Sequence, residues 1–232
     1  MRKRWRWFIA VFAIASLVAL AVTPAEYDPV RLEHPAGTVW VKIDDVSPHL
    51  VNAIIAAEDK DFEQHGSVEF LGIARGVVPG IEHHDCGGGS TITMQLAKIL
   101  EPPRAHKRYD AIYLSFAQAR RLEHSLTKRE ILEQHVNRVY FGDGYFGIAA
   151  GSRGYFGKDP SDLSLAESAL LAGLLKSPSG YGPVRNPAKA VARRDQVLDL
   201  IAATKRESIA DVGAAKAEPL AIQPGAATSQ PD

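Results

Sequence analysis

Two stretches of the sequence decide the fold and carry most of its chemical information: residues 57–66, AEDKDFEQHG, and residues 87–98, GGGSTITMQLAK. In the first, Glu58 and Asp59 follow the mostly apolar residues 51–57 at the end of a predicted helix. In the second, three glycines precede a Ser/Thr cap and a helix that carries a lysine two turns farther on. The first stretch therefore offers a carboxylate base, and the second offers a cradle for an anion.

The composition is that of an ordinary globular protein. The 232 residues are 46% hydrophobic and 23% charged, which is enough for one main domain with a sizeable core. The 27 Lys and Arg residues balance the 27 Asp and Glu residues, so net charge indicates no particular partner. Nothing in the sequence suggests nucleic-acid binding. Cys86 is the only cysteine, so an internal disulfide is excluded.

The N-terminus has the pattern of a membrane-targeting segment. Four basic residues lie within residues 1–6, and residues 7–22 form an uninterrupted run of apolar and small residues. This pattern predicts a basic cytoplasmic segment and one transmembrane signal anchor over residues 1–23, with the rest of the chain on the outer face of the cytoplasmic membrane. The alternative is a cleaved signal peptide, because residues 19–21, ALA, resemble a signal-peptidase site.

The remaining sequence predicts a mainly α domain over residues 47–208. Residues 24–46 are predicted to form a linker before this domain, with one candidate strand at residues 38–43. Residues 209–232 are predicted to form a disordered tail after it. Apolar residues at helical spacing, prolines at first helical positions and two capping boxes mark the predicted helices. The capping boxes are TKRE at residues 127–130 and SLAE at residues 164–167, and residues 140–147 are interpreted as a glycine–aromatic loop. The predicted helices span about residues 47–60, 67–78, 90–100, 107–126, 127–137, 164–175 and 191–201, with a short one ending near residues 154–157.

The acidic pair at the end of the first helix has two interpretations. There, Glu58 or Asp59 can be partly buried, which would raise its pKa towards a value useful for a general base. Phe62 and His65 lie one and two turns farther on and could line the same face. Alternatively, the pair forms a solvated acidic helix end that interacts with Lys60.

The glycine loop also has a functional and a structural interpretation. Glycines let backbone amides approach an anion closely, and a helix N-terminus adds partial positive charge, so phosphate or pyrophosphate is the natural ligand. The spacing does not match nucleotide-binding loops, and outside the cytoplasm a lipid-linked pyrophosphate is the better candidate. The structural alternative is that the glycine loop serves only to reverse the direction of the chain.

Residues 82–86, EHHDC, have side chains that can bind a metal ion. All five are neighbours in one loop, which favours a solvated loop over a metal site.

In combination, these motifs resemble those of the peptidoglycan glycosyltransferases of family 51. Such domains occur as monofunctional enzymes and at the N-terminus of bifunctional penicillin-binding proteins. The resemblance covers about residues 46–200 and implies a lysozyme-like helical glycosyltransferase domain behind a single N-terminal transmembrane helix, in the bacterial cytoplasmic membrane with the domain on its periplasmic side. Residues 128–137 are similar to the fourth motif, and segments between residues 140 and 187 are similar to the fifth motif and its continuation. The first two motifs are similar to Glu58-Asp59-x-x-Phe62-x-x-His65-x-Gly66 and Gly88-Gly89-Ser90-Thr91-Ile92-Thr93-x-Gln95-Leu96-x-Lys98.

The resemblance implies polymerisation of lipid II into glycan strands, with release of undecaprenyl pyrophosphate. It makes Glu58 the general base, and Lys98 with nearby arginines the groups that neutralise the pyrophosphate. The implied partners are lipid II, the nascent glycan strand, the cytoplasmic membrane and other cell-wall synthesis proteins. No metal ligand is assigned, and the candidate cofactor is a divalent cation, Mg²⁺ or Mn²⁺. The implied substrate-binding residues are Asp59, Phe62, His65, Arg75, Gly89, Ser90, Thr91, Gln95, Lys98, Arg104 and Arg108.

One position departs from the pattern of the family. The third motif carries Arg-Lys and then a second glutamate in the long helix, but an alignment on Glu123 places Ala111-Ile112 and Ser115 there. Loss of the second carboxylate raises the alternative of a non-catalytic lipid II-binding or scaffold protein. A lysozyme-like hydrolase would also use one glutamate, but it needs no pyrophosphate cradle.

Overall fold

The structure is a computed structural model that describes Leu32, His34 and residues 37–66, 90–101 and 108–223, apart from the side chains of residues 108–116. The chain divides into two compact units at Leu32, and the residues described beyond that point belong to the second unit. The predicted signal anchor, the predicted helix at 67–78, the EHHDC loop and most of the glycine loop lie outside the described residues. Within the described ranges, no helix is long and apolar enough to cross a membrane.

The prediction of a mainly α domain is confirmed. The described residues contain eight α-helices, two 3-10 turns at Ile43–Asp45 and Pro160–Asp162, and one antiparallel hairpin. The helices are α1 (Pro48–Glu58), α2 (Ile92–Leu100), α3 (Arg108–Ser125), α4 (Lys128–Val136), α5 (Ile148–Phe156), α6 (Leu165–Leu174), α7 (Pro187–Ala203) and α8 (Ile209–Ala217), and the hairpin strands are β1 (Tyr140–Gly142) and β2 (Tyr145–Phe146).

Local capping explains where several of these helices begin. Both predicted capping boxes are present, at Thr127 with Glu130 and at Ser164 with Glu167. In each box the hydroxyl accepts the third amide of the helix while the glutamate accepts the amide of the cap residue, so two otherwise free donors are satisfied. Thr91 caps α2 in a simpler way, because its side chain accepts the third amide of that helix.

Helix α6 forms the centre of the core. All ten of its residues are buried, and the helix packs mainly against α7 and α1. A second group of helices forms where α2 packs against α3 and α4. Burial of a large aliphatic side chain contributes about 1.5–3 kcal/mol, so the apolar faces of these two groups supply most of the stabilising free energy.

A strap of extended chain, residues 38–43, takes the place of the predicted strand. The strand prediction is wrong because the polar groups of the strap bind side chains of α4 and its C-cap rather than another strand. Asn137 Oδ1 accepts the N–H of Val41 at 2.9 Å, and Asn137 Nδ2 donates to the carbonyl of Val41 at 2.7 Å. Glu133 accepts the indole N–H of Trp40 and the N–H of Ile43, both at 3.0 Å. This part of the predicted linker is therefore bound to the domain.

Two further predictions are corrected by the structure. The glycine–aromatic loop contains the hairpin β1–β2, because Asp143 and Gly144 both have positive φ angles, 49° and 85°, as tight hairpin turns require. The segment predicted to be a disordered tail begins with α8, whose first turn is capped by Ser208. The apolar residues of this segment show little helical periodicity, so the sequence did not indicate the helix. Val212 and Ala215 are buried where α8 packs against α6 and α7.

We predict that Asn137→Ala lowers the free energy of unfolding by about 2 kcal/mol, because it leaves the backbone N–H and carbonyl of Val41 without partners. Denaturant titration of the full-length protein in detergent measures this loss. Asn186→Ala is the matched control, because Asn186 makes no side-chain capping bond at the start of α7 and should cost less than about 1 kcal/mol. Equal losses in the two variants would contradict the role of the strap.

Candidate active site

Glu58 is the last residue of α1, and its half-buried carboxylate meets the middle of α2. The side-chain amide of Gln95 donates from Nε2 to Glu58 Oε2 at 2.7 Å. Burial raises the pKa of Glu58 above its usual range, and the Gln95 hydrogen bond and the charges of Arg193 and Lys176 partly offset this rise. A glutamate in this environment is a stronger base than one in water, which is the property that a general base requires.

Asp59, the next residue, joins the end of α1 to the beginning of α2. One carboxylate oxygen accepts the backbone N–H of Ile92, the first residue of α2, at 3.1 Å. The other oxygen lies 2.5 Å from Nε2 of His65. Asp59 is 7% exposed, and an anion is favoured at a helix N-terminus, so this side chain is suited to holding the two elements together rather than to contacting a ligand.

One face of α2 points its polar side chains in the same direction as the Gln95 amide. Lys98 lies three residues beyond Gln95, which places both side chains on neighbouring turns of the same face. The ammonium group of Lys98 donates to the hydroxyl of Ser90 at 3.2 Å and remains exposed. Partial desolvation lowers the pKa of Lys98. A cation therefore lies on the same helix face as Gln95 and contacts Ser90 at the described end of the glycine loop.

The structure adds His135, which the analysis of the sequence missed. Its imidazole is completely buried, and its Nε2 lies 3.2 Å from Oε1 of Gln95, the residue that also contacts Glu58. Burial lowers the pKa of His135 to about 4, so the imidazole is neutral at physiological pH. A signal was available, because His135 lies four residues after the apolar Ile131 and therefore on the apolar face of the predicted helix.

Two cations near Glu58 were also missed. Arg193 on α7 is 3% exposed, and its guanidinium makes long hydrogen bonds of 3.4 Å to the carbonyl of Gly173 and to Gln196. Lys176 lies in the exposed turn after α6. Both charges act on Glu58 from the side of the α6–α7 group. Only the packing of α7 against α1 brings Arg193 to this position, and no local pattern indicates it.

Two of the predicted substrate-binding residues are enclosed by protein. Phe62 is 1% exposed, with the ammonium of Lys128 4.4 Å from the centre of its ring. Thr91 is 4% exposed and caps α2. These two side chains therefore stabilise the fold around the site: the ring of Phe62 is packed in the core, and the hydroxyl of Thr91 caps α2. Arg75, Gly89 and Arg104 lie outside the described residues, as do the side chains of Arg108 and Ser115.

A second glutamate, Glu123 on α3, is already engaged by other side chains. Its Oε1 accepts the hydroxyl of Thr93 at 2.5 Å and the ammonium of Lys128 at 2.7 Å. This carboxylate therefore joins α2, α3 and α4. Within the described parts of the chain, no group of three or more His, Cys, Asp or Glu residues is arranged to hold a metal ion.

Comparisons with known proteins identify the family of the chain. The family model described as Transglycosylase matches residues 26–202. A Cupriavidus necator protein whose name describes it provisionally as a transglycosylase is 34% identical over 232 residues, 96% of this chain and 100% of that protein. Penicillin-binding protein 1A of Neisseria lactamica is 42% identical over 161 residues, 69% of this chain. The match covers only 20% of the Neisseria protein, so the chain spans about a fifth of that relative.

A solved structure supports the assignment of the fold. The crystal structure of penicillin-binding protein 1A from Haemophilus influenzae superposes with a TM-score of 0.50 and 24% sequence identity. The superposition covers 82% of this chain and 19% of that chain. At this identity, the likeness shows that the two proteins share a helical fold.

We predict that acid destabilises the protein partly through His135. The pKa of His135 is lowered from 6.5 to about 4 in the folded state, so the unfolded chain binds an extra proton between these values. Stability from the neutral imidazole is complete above pH 6.5 and is lost as the pH falls towards 4, by on the order of 3 kcal/mol.

The free energy of unfolding of the unmodified protein and of His135→Gln is measured at several pH values. As the pH decreases, the unmodified protein should lose stability faster than the variant, so its stability relative to the variant should decrease. His124→Gln, which removes an exposed imidazole on α3, is the control. A difference for His135→Gln that stays constant from pH 7 to pH 4 would show that burial does not lower the pKa of His135.

Proposed function

We propose that this chain, which belongs to the transglycosylase family, is a peptidoglycan glycosyltransferase that polymerises lipid II with Glu58 as its general base. One observation carries this proposal. The Glu58 carboxylate, with a raised pKa, is held by Gln95 on the same helix face that carries Lys98. A base at the end of α1 that contacts Gln95 of α2, and a cation one turn farther along α2, match a reaction in which a hydroxyl loses its proton and a pyrophosphate departs.

In the proposed reaction, the 4-hydroxyl of an incoming lipid II attacks the anomeric carbon of the growing glycan chain. Glu58 accepts the proton of that hydroxyl while the new carbon–oxygen bond forms. The bond between the anomeric carbon and the lipid pyrophosphate breaks, the configuration inverts, and undecaprenyl pyrophosphate leaves. Accepting this proton in the transition state typically contributes about 10² to 10⁴ in rate.

Lys98 and Ser90 are the described groups best placed to meet the departing pyrophosphate. Lys98, in the last turn of α2, reaches back to the hydroxyl of Ser90, which lies just before the helix N-terminus, where the helix dipole adds partial positive charge. Gly89, Arg75, Arg104 and Arg108 are proposed to complete the anion site, as the motifs of the sequence predict. Stabilisation of charge on the leaving group is often the largest single contribution to such a reaction.

The proposed location is the bacterial cytoplasmic membrane, with the domain on its outer face. The support comes from the basic and apolar residues 1–23, and the substrate itself carries a lipid. Other cell-wall synthesis proteins are proposed partners, and Mg²⁺ or Mn²⁺ is the proposed candidate cation. In the described part of the chain, Asp59 is the carboxylate nearest in sequence to Glu58, and it is engaged by His65 and Ile92.

We predict that Glu58→Gln lowers the rate of lipid II polymerisation at least 10²-fold, because the amide cannot accept the proton. The measurement is the rate of glycan strand formation from fluorescent lipid II by full-length protein in detergent. Glu63→Gln is the matched control, since it makes the same chemical change at an exposed residue that pairs with Arg206, and it should keep near-normal activity. Polymerisation by Glu58→Gln at the unmodified rate would exclude Glu58 as the base.

We also predict the pH dependence of kcat/KM. The reaction needs ionised Glu58, so activity falls as the pH decreases through the pKa of Glu58, which is raised above 4.5. Lys176→Gln removes a charge that favours the carboxylate, so the acidic inflection should move to higher pH. Lys189→Gln removes an exposed charge that does not act on Glu58 and should leave the inflection in place. A shift to lower pH in Lys176→Gln would contradict the role of Glu58.

The second candidate function is a lipid II-binding or scaffold protein that does not polymerise its ligand. The observation that favours it is Ser115, where the family pattern has a glutamate. In the described residues, Glu123 does not supply the missing carboxylate, because Thr93 and Lys128 already occupy it. Binding of lipid II without any strand product, together with activity gained by Ser115→Glu, would establish this second function.

A further inference from the structure

His135, Gln95 and Glu58 form a linear chain of hydrogen bonds from the buried side of α4 to the base. The Gln95 amide donates to Glu58 through Nε2 at 2.7 Å and faces His135 Nε2 with its oxygen at 3.2 Å. The other ring nitrogen of His135, Nδ1, is buried and has no hydrogen-bond partner among the residues that the structure describes. The hydrogen bond that the structure shows for the imidazole is therefore the one to Gln95, and Gln95 in turn contacts the proposed base, Glu58.

The chemistry of the three groups determines which group donates and which accepts in each of these hydrogen bonds. An ionised carboxylate can only accept hydrogen bonds, so the NH₂ group of Gln95 must face Glu58. The amide oxygen then faces His135, and the imidazole must donate through Nε2–H. The opposite amide orientation would bring two acceptors together. In the Nε2–H tautomer the buried Nδ1 carries a lone pair, whereas an imidazolium would bury an unpartnered N–H and a charge.

We infer that His135 is a positioning residue for Glu58: its Nε2–H fixes the Gln95 amide, and the amide fixes the carboxylate. This inference rests on the proposed function for the statement that Glu58 is the base. The charged groups that face Glu58 from the surrounding elements are Asp59, Lys176 and Arg193. In the described part of the chain, none of these three hydrogen-bonds the carboxylate, so Gln95 alone sets its direction.

Two variants separate positioning from packing. His135→Met keeps a similar volume but removes the donor, and we expect kcat to fall about tenfold with little change in KM. His135→Gln returns an N–H donor close to where Nε2 lies, and we expect it to restore kcat to within about threefold of the unmodified protein. Equal losses of kcat in the two variants would overturn the inference, because a purely structural role does not depend on the donor.

A double-mutant cycle tests whether His135 acts through Gln95. In a protein that already carries Gln95→Met, adding His135→Met should change kcat less than about twofold, because the connecting amide is gone. A further tenfold loss, equal to that in the unmodified background, would overturn the inference. It would show that His135 acts independently of Gln95.

Nuclear magnetic resonance of the full chain in detergent micelles gives a readout that does not depend on activity. We expect ¹⁵N shifts of His135 that report a protonated Nε2 and a bare Nδ1. The ¹³C titration of the Glu58 carboxyl should move to a midpoint about 0.5 or more pH units higher in His135→Met, but not in His135→Gln. The reverse tautomer, or an unmoved midpoint in His135→Met, would overturn the inference. If these signals are as expected but the unmodified chain forms no glycan strands, the proposed function fails and the positioning of Glu58 by His135 stands.

Discussion

The arrangement of the site depends on two neighbouring carboxylates that bind one helix. Asp59 accepts the first amide of α2, and Glu58 accepts the Gln95 side chain one turn farther along. Because one attachment uses a backbone amide at the helix N-terminus and the other uses a side chain one turn later, together they fix both the position and the rotation of α2. Helix α1 ends at this junction, where Asp59 leaves the helical region with a φ of −161°. The end of one helix is thus the anchor of the next.

The same junction explains why a glutamate that is costly to bury is retained. The α1–α6–α7 group and the α2–α3–α4 group are each held by apolar packing, which stabilises the fold without directing any polar group. Burial of a carboxylate requires compensation, and Gln95, Arg193 and Lys176 supply it from both groups. Glu58 therefore has a raised pKa and a defined direction, two properties that a solvated helix end would lack. A buried neutral imidazole, His135, completes this environment from the side of α4.

The sequence predicted what depends on local patterns and missed what depends on packing. Capping boxes at Thr127 and Ser164, and a partly buried carboxylate at the end of α1, follow from residue types at fixed spacing. The positions of Arg193 and His135 follow from helices that meet only in the folded chain, and the interpretation of Phe62 as a lining residue ignored its burial. Helix α8 was missed because its alanines carry little periodicity. The strap was misread because its partners are side chains, which no strand pattern reveals.

The measurement that tests the central claim most directly is the amount of undecaprenyl pyrophosphate released for each glycosidic bond formed. The full-length protein in detergent is given labelled lipid II, and both products are quantified in the same sample. We predict one pyrophosphate released per bond, because Glu58 activates the hydroxyl while the groups on α2 stabilise the leaving group. Bound lipid II with neither product would contradict this claim and indicate a binding protein. Shortening of added glycan strands without pyrophosphate release would contradict it and indicate a hydrolase.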